Sequence, residues 1–318
     1  MNIITLSDLQ ASVRDRSAFN KLSDYRQLGQ AFLSLLELSQ PTRIISPSQN
    51  HYIFYQYDEE TSYRITRPLN TQLFIENVDE FTRAFDRFGD FLADLRKYED
   101  KAATRPDAEN YLRSGEINRV VYTAQQIVGC IGDSFPSPNQ SRKRVGQIFE
   151  QLVRLIIHET GVHCDTRRIT VPIPGVDNYQ MSYELDLVFS RDKAILTSET
   201  KYIHPSEVVG SVKTTSKDRL DKIFLDKYLL TQFLGREIPV IAIFLHDVQR
   251  AKRGNSIFGI NATFKSNHFL GYSVALNRLD GVYYVDPRPE MVTNPRLSAQ
   301  IRDFQYFLVY DLWTLSAR

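Results

Sequence analysis

Two neighbouring segments of the sequence combine apolar residues with acids and a lysine. They are residues 183–189, with the sequence YELDLVF, and residues 194–202, with the sequence AILTSETKY. Both resemble β-strands, whose side chains point alternately to the two faces of a sheet. Glu199 and Lys201 therefore share one face of the second strand. The short connection predicts an antiparallel hairpin, in which a two-residue loop sets Asp186 opposite Glu199 and a longer loop shifts this pairing by one residue.

Acids and an ammonium group gathered on apolar strands carry a large desolvation penalty unless something offsets it. A divalent cation does so, because Mg²⁺ prefers carboxylate oxygens together with carbonyl oxygens and water. A lysine beside such an ion can hold or help deprotonate the water that attacks a phosphodiester. The pattern therefore predicts metal-assisted phosphodiester hydrolysis. The alternative interpretation is a solvated sheet edge, whose cross-strand ion pairs contribute only about 0.2–1 kcal/mol each.

Helical and strand-like segments alternate around these residues, which is typical of a mixed β-sheet flanked by helices, an α/β architecture. A break at residues 132–139, rich in Pro, Ser and Asn, predicts a boundary between a mainly helical N-terminal region, 1–131, and a second domain, 132–318. The second domain is expected to contain helices over 143–159 and 216–234 and strands over 168–173, 183–189, 194–202, 239–246, either 272–276 or 282–285, and 304–313.

The spacing of Asp186 and, thirteen positions later, Glu199-Thr200-Lys201 resembles the motif of PD-(D/E)XK nucleases. In that family the acid and the E-x-K triplet lie on adjacent strands of a mixed sheet. Leu185 stands where the family motif has Pro, and the resemblance covers about residues 143–245. It implies that Asp186, Glu199 and the Thr200 carbonyl bind Mg²⁺ and that Lys201 orients or deprotonates water.

The same family usually supplies one more acid from the helix that precedes the hairpin. Glu150 lies at the margin of the apolar stripe predicted for 143–159, and Gly146 one turn earlier would allow close backbone approach. The resemblance implies that Glu150 supports the metal shell. An exposed helix charge paired with Arg154 is the alternative, and Glu184 is another candidate for the additional acid.

Within this family, a chain with a large additional N-terminal region resembles a type II restriction endonuclease. That resemblance implies double-stranded DNA as the partner and a homodimer, because a two-fold dimer supplies two active centres for a symmetric site. The N-terminal region would then serve dimerisation, DNA contact or both. A DNA-repair or structure-specific nuclease of the same superfamily, a non-catalytic DNA-binding module on that scaffold and a protein-interaction platform remain alternatives.

Two basic segments provide candidate DNA contacts. The first opens a predicted helix and offers donors for a phosphate: Lys213, Lys217 and Arg219. The second is a polar loop whose side-chain types read guanine and adenine edges in the major groove: Arg250, Lys252, Arg253, Asn255, Asn261 and Lys265. The alternatives are a capped helix start with solvated charges and a plain basic surface loop.

Composition narrows the remaining classes. The chain has 318 residues, a net charge of +1 and 42% hydrophobic residues, which is typical of a soluble globular protein. Its two cysteines provide no disulfide framework, and neither an apolar run of membrane-spanning length nor an N-terminal signal occurs, so we expect a cytoplasmic protein without a membrane segment. The absence of Walker, G-x-S-x-G and G-x-G-x-x-G motifs leaves ATP-driven, serine-hydrolase and Rossmann chemistry without support.

Overall fold

The structure, a computed structural model, describes residues 5–56, 67–97, 106–192, 202–216 and 219–317. In chain order its elements are α1 (Leu6–Arg14), α2 (Leu22–Ser39), β1 (Thr42–Ile45), β2 (Tyr52–Gln56), β3 (Leu69–Asn70), α3 (Val78–Lys97), α4 (Pro106–Ser114), α5 (Glu116–Asp133), α6 (Pro138–Glu159), β4 (His163–Pro172), β5 (Gln180–Ser190), β6 (Val208–Thr215), α7 (Leu220–Leu234), β7 (Val240–His246), β8 (Val248–Arg253), β9 (Ser256–Ala262), α8 (Ser266–Ala275), β10 (Gly281–Tyr284), α9 (Pro289–Thr293), α10 (Pro295–Ser298), β11 (Ile301–Asp303), α11 (Phe304–Tyr306), a π-helical turn (Phe307–Asp311) and α12 (Leu312–Ser316). None of the helices in this part of the chain combines the length and apolar character needed to cross a membrane.

The chain divides into two compact units, each built from several segments. Unit 1 comprises Met1–Phe91, Ser114–Leu152 and Val248–Thr263, and unit 2 comprises Leu92–Arg113, Val153–Asp247 and Phe264–Arg318. The chain boundary predicted near residue 132 thus falls inside unit 1. The assignment of separate roles to residues 1–131 and 132–318 stays a prediction.

A six-stranded sheet forms the centre of unit 2, with the strand order β11-β10-β7-β6-β5-β4. The strands β6, β7, β10 and β11 are parallel to one another, whereas β5 is antiparallel to both of its neighbours. Every residue of β7 is buried, as expected for a central strand of a parallel sheet. The predicted α/β class, a mixed sheet flanked by helices, is confirmed.

An apolar core joins this sheet to α7 and α8. Val188 and Phe244 from the strands pack with Phe224 of α7 and Phe269 of α8, whose rings lie 5.7 Å apart. Burial of such a side chain contributes about 1.5–3 kcal/mol. The core therefore holds α7 as the crossover between the parallel strands β6 and β7, and α7 ends at Gly235, which has φ 65°.

The strand that carries Asp186 has different neighbours from those predicted. Val188 of β5 pairs with Asp165 of β4 on one side and with Val209 of β6 on the other. The predicted pairing of Val188 and Phe189 with residues 194–202 is wrong, because β4 and β6 occupy both edges of β5 at these two residues. Residues 193–201 themselves lie outside the described part of the chain.

The C-terminal segment 304–313, predicted as a strand, is helical. Its fully buried apolar side chains include Phe304, Phe307, Leu308 and Leu312. They lie at positions i, i+3, i+4 and i+8, which is the spacing of one helix face, and this spacing outweighs their strand-like composition. Of the two positions considered for another strand, 282–285 largely coincides with β10, whereas most of 272–276 belongs to α8.

Candidate active site

Asp186 lies at an irregularity of the sheet. Leu185 pairs with Arg167, and Val188 pairs with Asp165. Two residues of β5, Asp186 and Leu187, therefore lie opposite a single residue of β4, Thr166. One extra residue is therefore accommodated in β5 at the position of Asp186. Bulges of this kind redirect a side chain out of the regular alternation and are common next to active sites.

Three donors from consecutive residues of β6 converge on one oxygen of Asp186. Its Oδ2 atom accepts hydrogen bonds from Ser211 Oγ at 3.1 Å, from the main-chain N of Val212 at 2.9 Å and from Lys213 Nζ at 2.5 Å. The side chains of Asp186 and Lys213 are 16% and 28% exposed, so the pair is partly shielded yet open to solvent on one side. The arrangement brings a carboxylate and an ammonium group together on two adjacent inner strands of the sheet.

A buried ion pair fixes the position of the chain segment before β6. Glu207 is fully buried and binds Arg167 of β4 through two hydrogen bonds of 2.7 Å. Such a two-point contact between guanidinium and carboxylate fixes orientation as well as distance. The main-chain N of His204 also donates to Glu207, at 2.7 Å. The entry to β6, and with it the position of Lys213, is therefore set from β4.

A glycine allows β5 and β6 to lie close together beside the site. Gly210 pairs with Leu187, and a Cβ atom added at Gly210 would lie 3.1 Å from Leu187 Cδ1. This is closer than ordinary van der Waals contact. Gly210 therefore leaves room for the Leu187 side chain, one residue after Asp186.

The structure accounts for only some of the predicted catalytic residues. Asp186 is brought beside Lys213, which the sequence placed among the phosphate contacts. Glu150 is half-buried in α6, and Glu184 is exposed on β5, where it contacts Arg168. The predicted residues outside the described part of the chain are Glu199, Thr200, Lys201 and Lys217.

Asp186 is a candidate ligand for a metal ion. Among the described residues, no group of three or more His, Cys, Asp or Glu side chains is placed to hold one. Mg²⁺ is commonly bound by one or two carboxylates, with water and substrate phosphate completing its shell. Asp186 fits the role of one such carboxylate, and a second would come from elsewhere.

The predicted base-reading residues lie on and beside the hairpin β8–β9. Val248 and Ile260 of this hairpin pack with Tyr52 and Phe54 of β2 in a small apolar core. Gly254, with φ 55°, lies in the tight turn between the strands. The predicted residues Arg250, Lys252, Arg253, Asn255 and Asn261 are exposed on this hairpin.

Alternation along the strands divides these side chains between two faces. Arg250 and Lys252 share the face of Val248, whereas Arg253 lies on the opposite face. Outside the hairpin, Arg219 and Lys265 are exposed at the N-cap positions of α7 and α8. The polar loop expected from the sequence is thus an ordered two-stranded ribbon.

The six-stranded mixed sheet with its flanking helices resembles the fold of restriction endonucleases. The chain is similar in structure to the type IIP restriction endonuclease Kpn2I, with a TM-score of 0.66 and 18% sequence identity over 98% of this chain and 97% of that one. It also matches the restriction endonuclease PspGI from a complex with substrate DNA, with a TM-score of 0.41 and 12% identity over 63% of this chain and 80% of that one. No protein-family model and no curated protein sequence matches the chain.

Proposed function

We propose that this chain is a type II restriction endonuclease, which hydrolyses phosphodiester bonds at a short specific sequence in double-stranded DNA with Mg²⁺ as cofactor. The single observation that carries the proposal is the pair formed by Asp186 and Lys213 on adjacent strands of a restriction-endonuclease-like sheet. A carboxylate that can bind a cation and an ammonium group that can hold water or phosphate are the parts such a hydrolysis needs. The named function of Kpn2I supports the same assignment.

Asp186 and Lys213 divide the work in this proposal. Asp186 would hold the metal ion, whose chemistry there would be to polarise the phosphate and to activate water. Lys213 directs its N–H donors towards the attacking water or a non-bridging phosphate oxygen, and Asp186 keeps that ammonium group in place at 2.5 Å. Ser211 and the main-chain N of Val212 hold the carboxylate in one orientation. In this proposal Lys213 belongs to the catalytic centre, whereas the sequence alone predicted that it contacts phosphate.

The remaining predicted ligands stay part of the proposal. Glu199 and the Thr200 carbonyl would complete the metal shell, and Glu150 would support it. Lys201 is the second candidate for the ammonium group. The geometry of the described residues favours Lys213, since it already contacts Asp186.

The DNA contacts follow from charge and placement. Lys217 and Arg219 would bind phosphates near the start of α7, and Lys265 would do so at the start of α8. The ribbon β8–β9 would supply base contacts, because a two-stranded ribbon fits the major groove. A symmetric recognition site would call for a homodimer, in which each copy cuts one strand.

Digestion of phage DNA tests the proposal. The protein with Mg²⁺ should give discrete fragments, and EDTA should abolish them. Lys213→Ala and Asp186→Ala should remove cleavage while binding to the mapped site, measured in Ca²⁺, persists. Structure-dependent nicking would instead identify a repair nuclease, and intact DNA with tight binding would identify a non-catalytic DNA-binding module.

The same assay distinguishes the two lysines. If Lys201→Ala abolishes cleavage and Lys213→Ala does not, the ammonium group of the site is Lys201 and the role of Lys213 returns to phosphate contact. If neither substitution affects cleavage, the site lies elsewhere.

A further inference from the structure

The side chain of Arg253 is held along the ribbon rather than free in solvent. Arg253 pairs with Ser256 next to the turn, but its guanidinium reaches back along β9, where Nη2 donates a 2.9 Å hydrogen bond to Asn261 Oδ1. On the way its stem passes over Gly259. A Cβ atom added at Gly259 would lie 2.4 Å from Arg253 Cγ and 2.7 Å from the carbonyl oxygen of Ala251.

Gly259 and Asn261 thus fix the course of the Arg253 side chain along β9. The glycine provides the space in which the stem lies flat, and the asparagine accepts from the guanidinium at the far end. A long exposed side chain loses on the order of 2 kcal/mol of rotamer entropy when it is immobilised. The hydrogen bond to Asn261 and the contact over Gly259 restrict Arg253 before any ligand binds, which lowers this cost in the way that preorganisation raises affinity and selectivity.

Arg253 lies on the face of the ribbon that is opposite its apolar core. Val248 and Ile260 attach the opposite face to β2 through their apolar core. Gln249 and Asn261 pair with each other on the face that carries Arg253. An ordered guanidinium with polar neighbours on the outer face of a ribbon is suited to a hydrogen-bonded planar target, and in duplex DNA the best match is the O6 and N7 pair of guanine.

We propose that Arg253 is a specificity-determining residue that reads a guanine in the major groove, and that Asn261 is a positioning residue that orients Arg253. This inference rests on the proposed function. It revises the expectation that Asn261 itself reads a base, because its side-chain oxygen is engaged by Arg253. The recognition sequence should therefore contain a G·C pair whose readout depends on both residues.

Cleavage of site variants tests both roles. The recognition sequence is first mapped from the phage-DNA fragments, and duplexes carrying every single-base substitution of it are then cleaved under matched conditions. The wild-type protein should prefer G at one position by about 10- to 100-fold. Arg253→Ala should abolish the preference at that position only, and replacing that guanine with 7-deazaguanine should slow the wild type but not Arg253→Ala.

Asn261 is tested by the same measurement. Asn261→Ala should weaken the preference at that one position about 3- to 10-fold, whereas Asn261→Asp, which keeps an acceptor for Arg253, should retain it even if DNA binding is weaker overall. Asn110→Ala removes an exposed asparagine from α4 and should leave every preference unchanged. Thermal unfolding of each variant confirms that it is folded.

The outcomes separate this inference from the proposed function. If the wild-type protein neither cuts nor binds a specific sequence, both the proposed function and this inference are wrong. If specific cleavage is found and Arg253→Ala keeps every base preference, the reading role is overturned. If Arg253→Ala loses one preference but Asn261→Ala does not weaken it, the positioning role is overturned.

Discussion

The Asp186 site and the β8–β9 ribbon each hold one basic side chain, but they hold it differently. Lys213 is paired with a partly buried carboxylate that also accepts from a main-chain N–H and a serine hydroxyl. Arg253 is exposed and bonds to a neutral amide on a two-stranded ribbon. The first arrangement lies beside central strands of a six-stranded sheet, and the second depends on one small apolar core.

The difference indicates a division of labour. An ion pair with several fixed donors keeps charged groups at set distances, which a chemical step requires. An exposed arginine on a ribbon keeps its orientation yet leaves its remaining donors available, which recognition requires. Substitutions in the first region should therefore change the rate at every site, and substitutions in the second should change which sites are cut.

Loss of the Lys213 ammonium group should have the largest effect. Lys213→Ala should slow single-turnover cleavage of the mapped site by about 10²–10⁴-fold, because the ammonium group that would hold the attacking water is removed. Relative rates on single-base variants of the site should stay the same within twofold. A variant that cleaves at the wild-type rate, or that changes base preference, would break the proposed division between the two regions.

Asp247 of unit 2 links stability to pH. It is fully buried at the end of β7, directly before the ribbon, and accepts a hydrogen bond from the main-chain N of Phe264, which follows the ribbon. Burial raises the pKa of Asp247 to about 6, although Arg288 nearby lowers it in part. Since the folded-state pKa lies above the ordinary value, the protonated form contributes stability that is present below about pH 4 and is lost as the pH rises through 6.

Asp247→Asn removes this titration. Relative to the wild type, the free energy of unfolding of the variant should rise by on the order of 2–3 kcal/mol between pH 4 and pH 7.5, as measured by urea denaturation. Base preference at either pH should be unchanged, because the variant keeps an acceptor for Phe264. A pH-independent difference between the two proteins would show that Asp247 does not titrate in this range.

How far the sequence predicts this molecule depends on the range of the interactions involved. The central strand β7 could be recognised from the run VIAIFLH, because full burial of a parallel strand leaves a local apolar signal. The pairing of β5 with β6 could not, since it joins Leu187 to Gly210 across residues that no local pattern bridges. The role of Asp186 as an acid of the site stays a prediction, and its contact with Lys213 follows only from the pairing of the two strands.

A signal for β6 was nevertheless present. Residues 208–215 have the sequence VVGSVKTT, which is rich in the β-branched residues that favour strands. In Ser211-Val212-Lys213 a polar residue stands two positions before a lysine, as Glu199 does before Lys201 in the predicted triplet. The predicted helix that follows instead favours the interpretation of Lys213, Lys217 and Arg219 as phosphate contacts at a helix start. Arg253 shows the same limit, because its contacts with Gly259 and Asn261 arise only once the hairpin register is known.

A methyl group at Gly259 should disturb the ribbon without reaching the chemistry. In Gly259→Ala the new Cβ atom would collide with Arg253 Cγ and with the fixed carbonyl oxygen of Ala251, so the ribbon must shift at a cost of about 1–3 kcal/mol. The guanine preference should weaken while the rate on the preferred site falls less than tenfold. Gly271→Ala is the matched control: it lies in α8 with nothing within 4 Å of the added atom, and it should stabilise the protein by about 0.5–1 kcal/mol.

The smallest effect is expected at Ser211. Ser211→Ala removes one of the three donors to Asp186 Oδ2 and leaves the Val212 N–H and Lys213 in place. A single hydrogen bond of this kind is worth about 0.5–1.5 kcal/mol, so cleavage should slow about 2- to 10-fold at every site alike. Ser211→Thr keeps the hydroxyl and should recover most of the rate. A loss as large as that of Lys213→Ala would instead mean that the hydroxyl itself takes part in the reaction, and that the site depends on more than the ion pair.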